Sequence, residues 1–245
     1  MSNLFELKVA LIVGGSSGVG QTTALAFAKE GAKIVVAARR IAEGKKVVSI
    51  IKEEAGEACF VQTDVSKTSE VEAMVATCIE TYGRLDYAFN NAGIEGSILV
   101  STTDYDEETW DQVIDINLKA VWLCMKYEIP QVLKRRKGAI VNMSSVAGLE
   151  GGWLMGVYYF ASKHGVFGLT RAAALNMMTK RPFFETKPYV IITIVIHPGW
   201  IKTDMGGLRA KITMKESVSG MLHVIDNLKM KDNGKFLGWD GKEVP

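Results

Sequence analysis

A short apolar run that ends in clustered glycines and passes directly into a helical pattern sets the strongest limit on what this chain folds into. Val9, Leu11, Ile12 and Val13 fall within residues 8–14, and Gly14, Gly18 and Gly20 follow them. Such a run, bounded by glycine, reads as a buried strand feeding a turn. Over residues 18–30 the apolar side chains recur at helical spacing, and Gly31 suits the C-terminal cap. Strand, glycine turn and helix in that order open a βαβ unit, so the first strand expects a parallel neighbour.

The alternation continues to the end of the sequence. Strands are predicted over residues 34–38, 58–62, 85–90, 138–143, 190–196 and 235–238, and helices over 41–55, 67–82, 107–126, 159–179 and 216–228. Alternating strands and helices give a parallel sheet covered on both faces. The 245 residues suit one large α/β domain, with no Pro- or Gly-rich linker to divide it and no solenoid repeat. The expected fold class is therefore α/β, a single doubly wound Rossmann-type domain over residues 1–245. Ligands of such sheets bind outside the carboxyl ends of the strands.

Charge and cysteine usage exclude several classes. A formal net charge of +2 is too small to imply a nucleic-acid partner, and the basic run 134–137 reads as a solvated helix end. Cys59, Cys78 and Cys124 lie far apart, without metal-ligand spacing, so no metal is expected and a reduced, cytoplasmic protein is. No signal peptide is visible at residues 1–8, and no apolar stretch approaches a membrane span.

The glycine turn has a chemistry of its own. Glycine permits positive φ and lets backbone approach a pyrophosphate closely, and the helix N-terminus beyond it offers free N–H groups and partial positive charge. Ser16 and Ser17 add hydroxyls. The pattern G-x-x-x-G-x-G is not the common dinucleotide fingerprint. It resembles the opening of the classical short-chain dehydrogenase/reductase family, with Val13 standing where that family usually has threonine. An acid about 20 residues beyond the glycines would hold the ribose of NAD. Here Ala38 ends the second strand and Arg39 and Arg40 follow, so a 2′-phosphate partner is expected. NADP(H) is the preferred cofactor and NAD(H) remains possible.

Three further segments are similar to that family's cofactor wall: Asp64 and Val65 after the third strand, Asn90-Asn91-Ala92-Gly93 after the fourth, and residues 198–203 after the β-branched strand. The resemblance thus implies that Gly14, Ser16, Ser17, Gly18, Val19, Arg39, Asp64, Val65, Asn91, Ala92, Gly93, Pro198, Gly199, Ile201 and Thr203 bind the dinucleotide together with Tyr159 and Lys163. Arg39 would be the main 2′-phosphate contact, and Thr203 the hydroxyl contact to the nicotinamide amide.

Tyr159 and Lys163 stand four apart on a predicted helix, which places them on one face. A tyrosine ordinarily titrates near pH 10, and a neighbouring cation draws that value down, which makes an acid–base group. Ser145 follows a strand and can hold a substrate oxygen; Asn117, in the preceding long helix, can anchor a water wired to Lys163. The four match the family's Asn-Ser-Tyr-Lys tetrad. The family's usual serine-to-tyrosine gap would select Tyr158, but only Tyr159 has lysine four places on, so one extra residue is expected in the loop 149–157. Ser144 adjoins Ser145, and the second serine matches the motif better.

Residues 151–155 and Trp200, Met205 and Leu208 suggest an apolar substrate pocket with a movable lid, or core and subunit contacts. A bulky apolar ketone, aldehyde or alcohol is the expected substrate. The C-terminal third, including His197-Pro198-Gly199-Trp200, residues 203–207, 216–220 and 234–237, is more similar to the sniffer-type carbonyl reductases, and residues 181–188 fit neither pattern. Classical members are often tetramers, which implies a homo-oligomer, tetramer or dimer, paired through helices 107–126 and 159–179. The alternatives are an NAD-dependent alcohol dehydrogenase, a non-catalytic dinucleotide sensor and a structural interaction module.

Overall fold

The computed structural model describes residues 3–149, 156–179, 190–203, 207 and 210–244. Strand β1 (Val9–Val13) leads into helix α1 (Gly18–Lys29), then β2 (Lys33–Ala38), α2 (Ile41–Glu53), β3 (Ala58–Gln62), α3 (Thr68–Tyr82) and β4 (Tyr87–Asn90). The second half runs through α4 (Glu107–Ile114), a π turn (Asp115–Lys119), α5 (Ala120–Arg135), β5 (Lys137–Met143), α6 (Val157–Thr179), β6 (Val190–His197), α7 (Met214–Asp226) and β7 (Phe236–Gly238). The seven strands form one sheet in the order β3-β2-β1-β4-β5-β6-β7, every pair parallel.

The apolar strand runs follow from burial on both faces. Val9, Leu11 and Val13 of β1 point into a core shared with α3, α5 and α6, while Ala10 and Ile12 point into a second core shared with α1, α2 and α7. Side chains of a strand alternate between faces, so two cores demand apolar residues at every position. The chain leaves β1 toward β2 on one side and later returns to β4 on the other. The crevice between β1 and β4 is therefore the switch point where an open sheet binds its ligand. Gly14 and Asn91, the residues that follow these strands, stand at its mouth.

The expected helix over 107–126 differs from the one observed. It breaks at a π turn and then runs on through Pro130 to Arg135. Buried Glu128 and Val132 on either side of the proline hold this segment against the sheet, so packing overrides the missing backbone N–H. Helix α7 starts before the expected residue 216, because Thr213 and Glu216 form a reciprocal capping box. The loop 151–155, residues 181–188, and Met205 and Leu208 lie outside the described residues.

Candidate active site

Gly14 turns the chain with φ +76°, and its amide and that of Gly15 donate to the Ala37 carbonyl at 2.8 and 3.2 Å. A Cβ on Gly14 would lie 2.8 Å from the backbone nitrogen of Ala92. The glycine is therefore what lets the 91–93 loop close on the turn, and Asn91 Nδ2 donates to the Gly14 carbonyl at 3.3 Å. Val13, in the place of the family's threonine, is buried, and its carbonyl accepts from the Asn91 amide at 3.1 Å. Gly18 has φ +54° and nothing within 4 Å of a notional Cβ, so it faces open space at the head of α1.

This turn floors a cavity of about 330 Å³ lined by Gly14, Ser16, Ser17, Ala38, Arg39, Arg40, Thr63, Asp64, Val65, Asn91, Ala92, Gly93, Ile94 and Ile116. Most of the expected dinucleotide wall is thus brought together along one trough. Arg40, named at sequence level only as the neighbour of Arg39, donates from Nη2 to Ser17 Oγ at 2.6 Å and to Ser16 Oγ at 3.4 Å. Its position at the head of α2, directly after β2, was the available signal. Burial would raise the Asp64 carboxyl, but the Ser66 hydroxyl and amide, with Lys67 and Arg39 nearby, hold it below the ordinary range. The donor set fits a dinucleotide: exposed glycine backbone and hydroxyls at a helix N-terminus, two guanidinium groups beside them, and an apolar slot at Val65 and Ile94.

A second cavity, about 250 Å³, adjoins on the β5–β6 side and is lined by Val19, Ser144, Ser145, Val146, Tyr159, His197, Pro198, Gly199, Trp200, Ile201 and Thr203. Gly199 has φ +78°, and a Cβ there would strike the Trp239 ring. His197 Nδ1 accepts from the Gly199 amide at 3.1 Å, and Ser217 Oγ donates to the Pro198 carbonyl at 2.6 Å, so the 198–203 segment is pinned from two sides. Val146 and His197 were not anticipated as wall residues; each adjoins a recognised motif.

Tyr159 and Tyr158 separate in space. Tyr158 is fully buried, with Gly96 and Gly156 leaving room for its ring, and its hydroxyl donates to the Ser97 carbonyl at 2.5 Å. Tyr159 faces the second cavity and is hydrogen-bonded to Ser145. The serines divide likewise: Ser144 Oγ donates to the Lys163 carbonyl at 3.2 Å, within the fold, while Ser145 lines the cavity. Lys163 Nζ lies 5.5 Å from the Tyr159 ring centroid and donates to the Met143 carbonyl at 3.3 Å.

Burial pushes the Tyr159 hydroxyl up, the Ser145 bond draws it down, and Glu95 adds to the rise. The expected depression by Lys163 is not found: the hydroxyl is raised, and burial lowers the lysine itself, to about 8. Asn117 sits in the π turn, where its Oδ1 accepts from the Ile94 amide and its Nδ2 donates to the Ile94 carbonyl, both at 2.8 Å. A Cβ on Gly93 would come 3.3 Å from Asn117 Oδ1 and 3.7 Å from Lys163 Nζ, so the glycine keeps the space between them clear. Ser145 and Tyr159 thus line the second cavity, and Lys163 Nζ stands between the Tyr159 ring and Gly93 of the first, with Asn117 beside it.

The family model for short chain dehydrogenases matches residues 8–212. A cyclohexanol dehydrogenase from Acinetobacter sp. (strain SE19) is 41% identical over 206 residues, 84% of this chain and 77% of the relative. Among solved structures, an NADPH-bound carbonyl reductase from chicken fatty liver superimposes with a TM-score of 0.84 at 26% identity, covering 98% of this chain and 99% of the other. Levodione reductase superimposes with a TM-score of 0.83 at 28% identity, covering 96% of each. With its parallel sheet, its glycine turn at the switch point and this match over most of its length, the chain belongs to the short-chain dehydrogenase/reductase family.

Proposed function

We propose that this oxidoreductase interconverts an apolar ketone or aldehyde and its alcohol with NADP(H), and that Tyr159 is the acid–base group. The observation that carries the reading is the convergence of Tyr159, Ser145, Lys163 and Asn117 where the dinucleotide trough meets the apolar cavity. The bound nicotinamide supplies or takes up the hydride. Gly14, Ser16, Ser17 and Gly18 would hold its pyrophosphate, and Arg39 and Arg40 its 2′-phosphate.

In reduction, Ser145 and Tyr159 hold the substrate oxygen by hydrogen bonds. Burial keeps the Tyr159 hydroxyl protonated, so it is ready to donate as negative charge develops on that oxygen. Lys163, charged below about pH 8, then stabilises the phenolate left behind. Asn117, through the clear space at Gly93, anchors the onward path for the proton. In oxidation the same groups act in reverse.

Val19, Val146, Pro198, Trp200 and Ile201 give the substrate cavity an apolar lining, which favours a cyclic or aromatic carbonyl over a sugar. Similarity to the cyclohexanol dehydrogenase and the carbonyl reductase supports that class. We read residues 1–245 as one dinucleotide-binding and catalytic domain, cytoplasmic and oligomeric. No helix among the described residues is long and apolar enough to cross a membrane, and Cys59, Cys78 and Cys124 are free. Trp122 on α5 and Leu175 on α6, 47% and 65% exposed, suit a face that pairs with a second copy.

The deciding assay measures initial rates of NADPH and NADH oxidation with a panel of cyclic, aromatic and aliphatic carbonyls, beside Tyr159→Phe. Turnover with NADPH that vanishes in the variant supports the reading. Tight NADPH binding without turnover on any member overturns it in favour of a dinucleotide sensor.

A further inference from the structure

Below the two cavities, and lining neither, runs a chain of buried polar side chains that the reaction does not use. Glu128 on α5, Asn90 on β4, Asn142 on β5 and Thr170 on α6 are each 3% exposed or less. Asn90 Nδ2 donates to Glu128 Oε2 and to Asn142 Oδ1, both at 2.9 Å. Asn142 Nδ2 donates to Thr170 Oγ1 at 2.9 Å, and Thr170 Oγ1 to the Val166 carbonyl at 2.7 Å. Polar groups in so dry a place cost free energy unless bonded, and apolar residues of similar volume would pack there as well. A carboxyl retained among them needs a reason beyond cohesion.

The position of the chain supplies one. Asn90 immediately precedes the 91–93 loop, which closes on Gly14 and ends at Gly93 against Lys163 and Asn117. Asn142 immediately precedes Met143, whose carbonyl accepts from Lys163 Nζ, and then Ser144 and Ser145. We propose that Glu128 is a positioning residue for the catalytic centre: through Asn90 and Asn142 it fixes the ends of β4 and β5, and with them the Gly93 wall and the carbonyl that seats Lys163. The proposal rests on the reading of Tyr159 and Lys163 as the acid–base pair.

The geometry also bears on the state of the carboxyl. Glu128 Oε1 and Asn90 Oδ1 are both buried acceptors with no hydrogen-bond partner, a setting that favours the protonated carboxyl over the carboxylate. The titratable groups facing it are the thiols of Cys78 on α3 and Cys124 on α5. From β4 it meets Asn90, which links it to Asn142 on β5 and through that to Thr170 on α6, and no ion pair with it is formed among the described residues. Burial accordingly raises Glu128 to about 7, against the opposing bond from Asn90.

The test uses the full chain with cyclohexanol, cyclohexanone and NADP(H), and compares Glu128→Met with Glu128→Gln. Glutamine keeps an acceptor and a donor; methionine keeps volume alone. The expected result for Glu128→Met is a kcat about tenfold lower, as a slightly misplaced catalytic group costs. Its acid–base limb in the pH profile should also move by about half a pH unit, with KM for the alcohol and Kd for NADPH nearly unchanged. Glu128→Gln restores both kcat and the limb. A lower Tm in Glu128→Met with wild-type kcat and pH profile overturns the proposal, because cohesion alone would then account for the chain. Equal losses in the two variants overturn it as well. Should Glu128→Met fail to fold, Glu128→Asp, which keeps the acid but shortens its reach to Asn90, carries the same comparison. Full activity in Tyr159→Phe would overturn the acid–base assignment instead, so the two readings fail separately.

Discussion

Tyr158 and Tyr159 are consecutive on α6, yet the hydroxyl of one donates to the Ser97 carbonyl inside the fold and that of the other meets Ser145 in the cleft. Successive helix residues lie about 100° apart around the axis, so one faces the core while its neighbour faces the cavity. The pair therefore makes a matched control. Tyr159→Phe should lower kcat by about 10²–10⁴ with little loss of stability, the usual span for a lost general acid. Tyr158→Phe should keep kcat and lower stability by about 1 kcal/mol, the net worth of one buried hydrogen bond. Steady-state kinetics and thermal melts on both variants check this. Activity lost in Tyr158→Phe and kept in Tyr159→Phe would reverse the assignment.

Arg39 and Arg40 both line the dinucleotide trough, but only Arg40 is tied to the glycine turn, through Ser16 and Ser17. Arg39→Ala should weaken NADPH by about 10–100-fold, the loss of one charge-assisted contact, and leave NADH within about threefold. Arg40→Ala should weaken both cofactors, because it loosens the turn that each would use. Fluorescence titrations with the two nucleotides separate the roles. An equal loss for NADPH and NADH in Arg39→Ala would remove the 2′-phosphate assignment.

Lys163 carries a stability cost from its burial. Burial lowers it from 10.5 to about 8. Below pH 8 the lysine is charged in both folded and unfolded chains, and the full cost, on the order of 3 kcal/mol, is present. Between pH 8 and 10.5 the folded protein sheds the proton first, so this group's contribution to stability rises with pH. Lys163→Met should therefore melt higher than wild type at pH 7, with the gap narrowing toward pH 10, while activity is lost. Calorimetry at the two pH values is the measurement, and no gain at pH 7 would contradict the assigned burial.

Gly14→Ala should be costly at a site where alanine is chemically mild. The residue sits at φ +76°, and its Cβ would crowd the Ala92 backbone. The left-handed conformation alone costs about 1–2 kcal/mol. A Tm drop of several degrees with weaker NADPH binding is expected; unchanged binding would mean that the 91–93 loop does not need to close on the turn.

Much of this was legible in the sequence because parallel strands buried on both faces must be apolar throughout. The run 9–13 and the β-branched run at 190–196 could be little else. Glycine positions were legible for a related reason: Gly14 and Gly18 serve conformations that side chains resist. Other features depend on distant partners and leave only a faint local trace. Pro130 argues locally for a helix end, and only the packing of Glu128 and Val132 carries α5 past it. The pair Arg39 and Arg40 pointed to a 2′-phosphate, but the bonds of Arg40 to Ser16 and Ser17 depend on a turn 23 residues away and leave no local trace. The Tyr159–Lys163 spacing announced a pair, but its electrostatics depend on how deeply both are buried, which no four-residue interval reveals.

The π turn at Asp115–Lys119 has one more consequence. A π turn holds one residue more than an α turn, so it resets the winding phase of everything beyond it. Val113 before it and Leu123 and Cys124 after it all face inward. Winding the same residues as regular α-helix, with none removed, would rotate α5 by about 100° relative to α4. One of the two buried stripes would then face water. Asn117 is thus placed at the seam between two helical phases, and its presentation to Ile94 is locked to the packing of both helices rather than to its own neighbourhood.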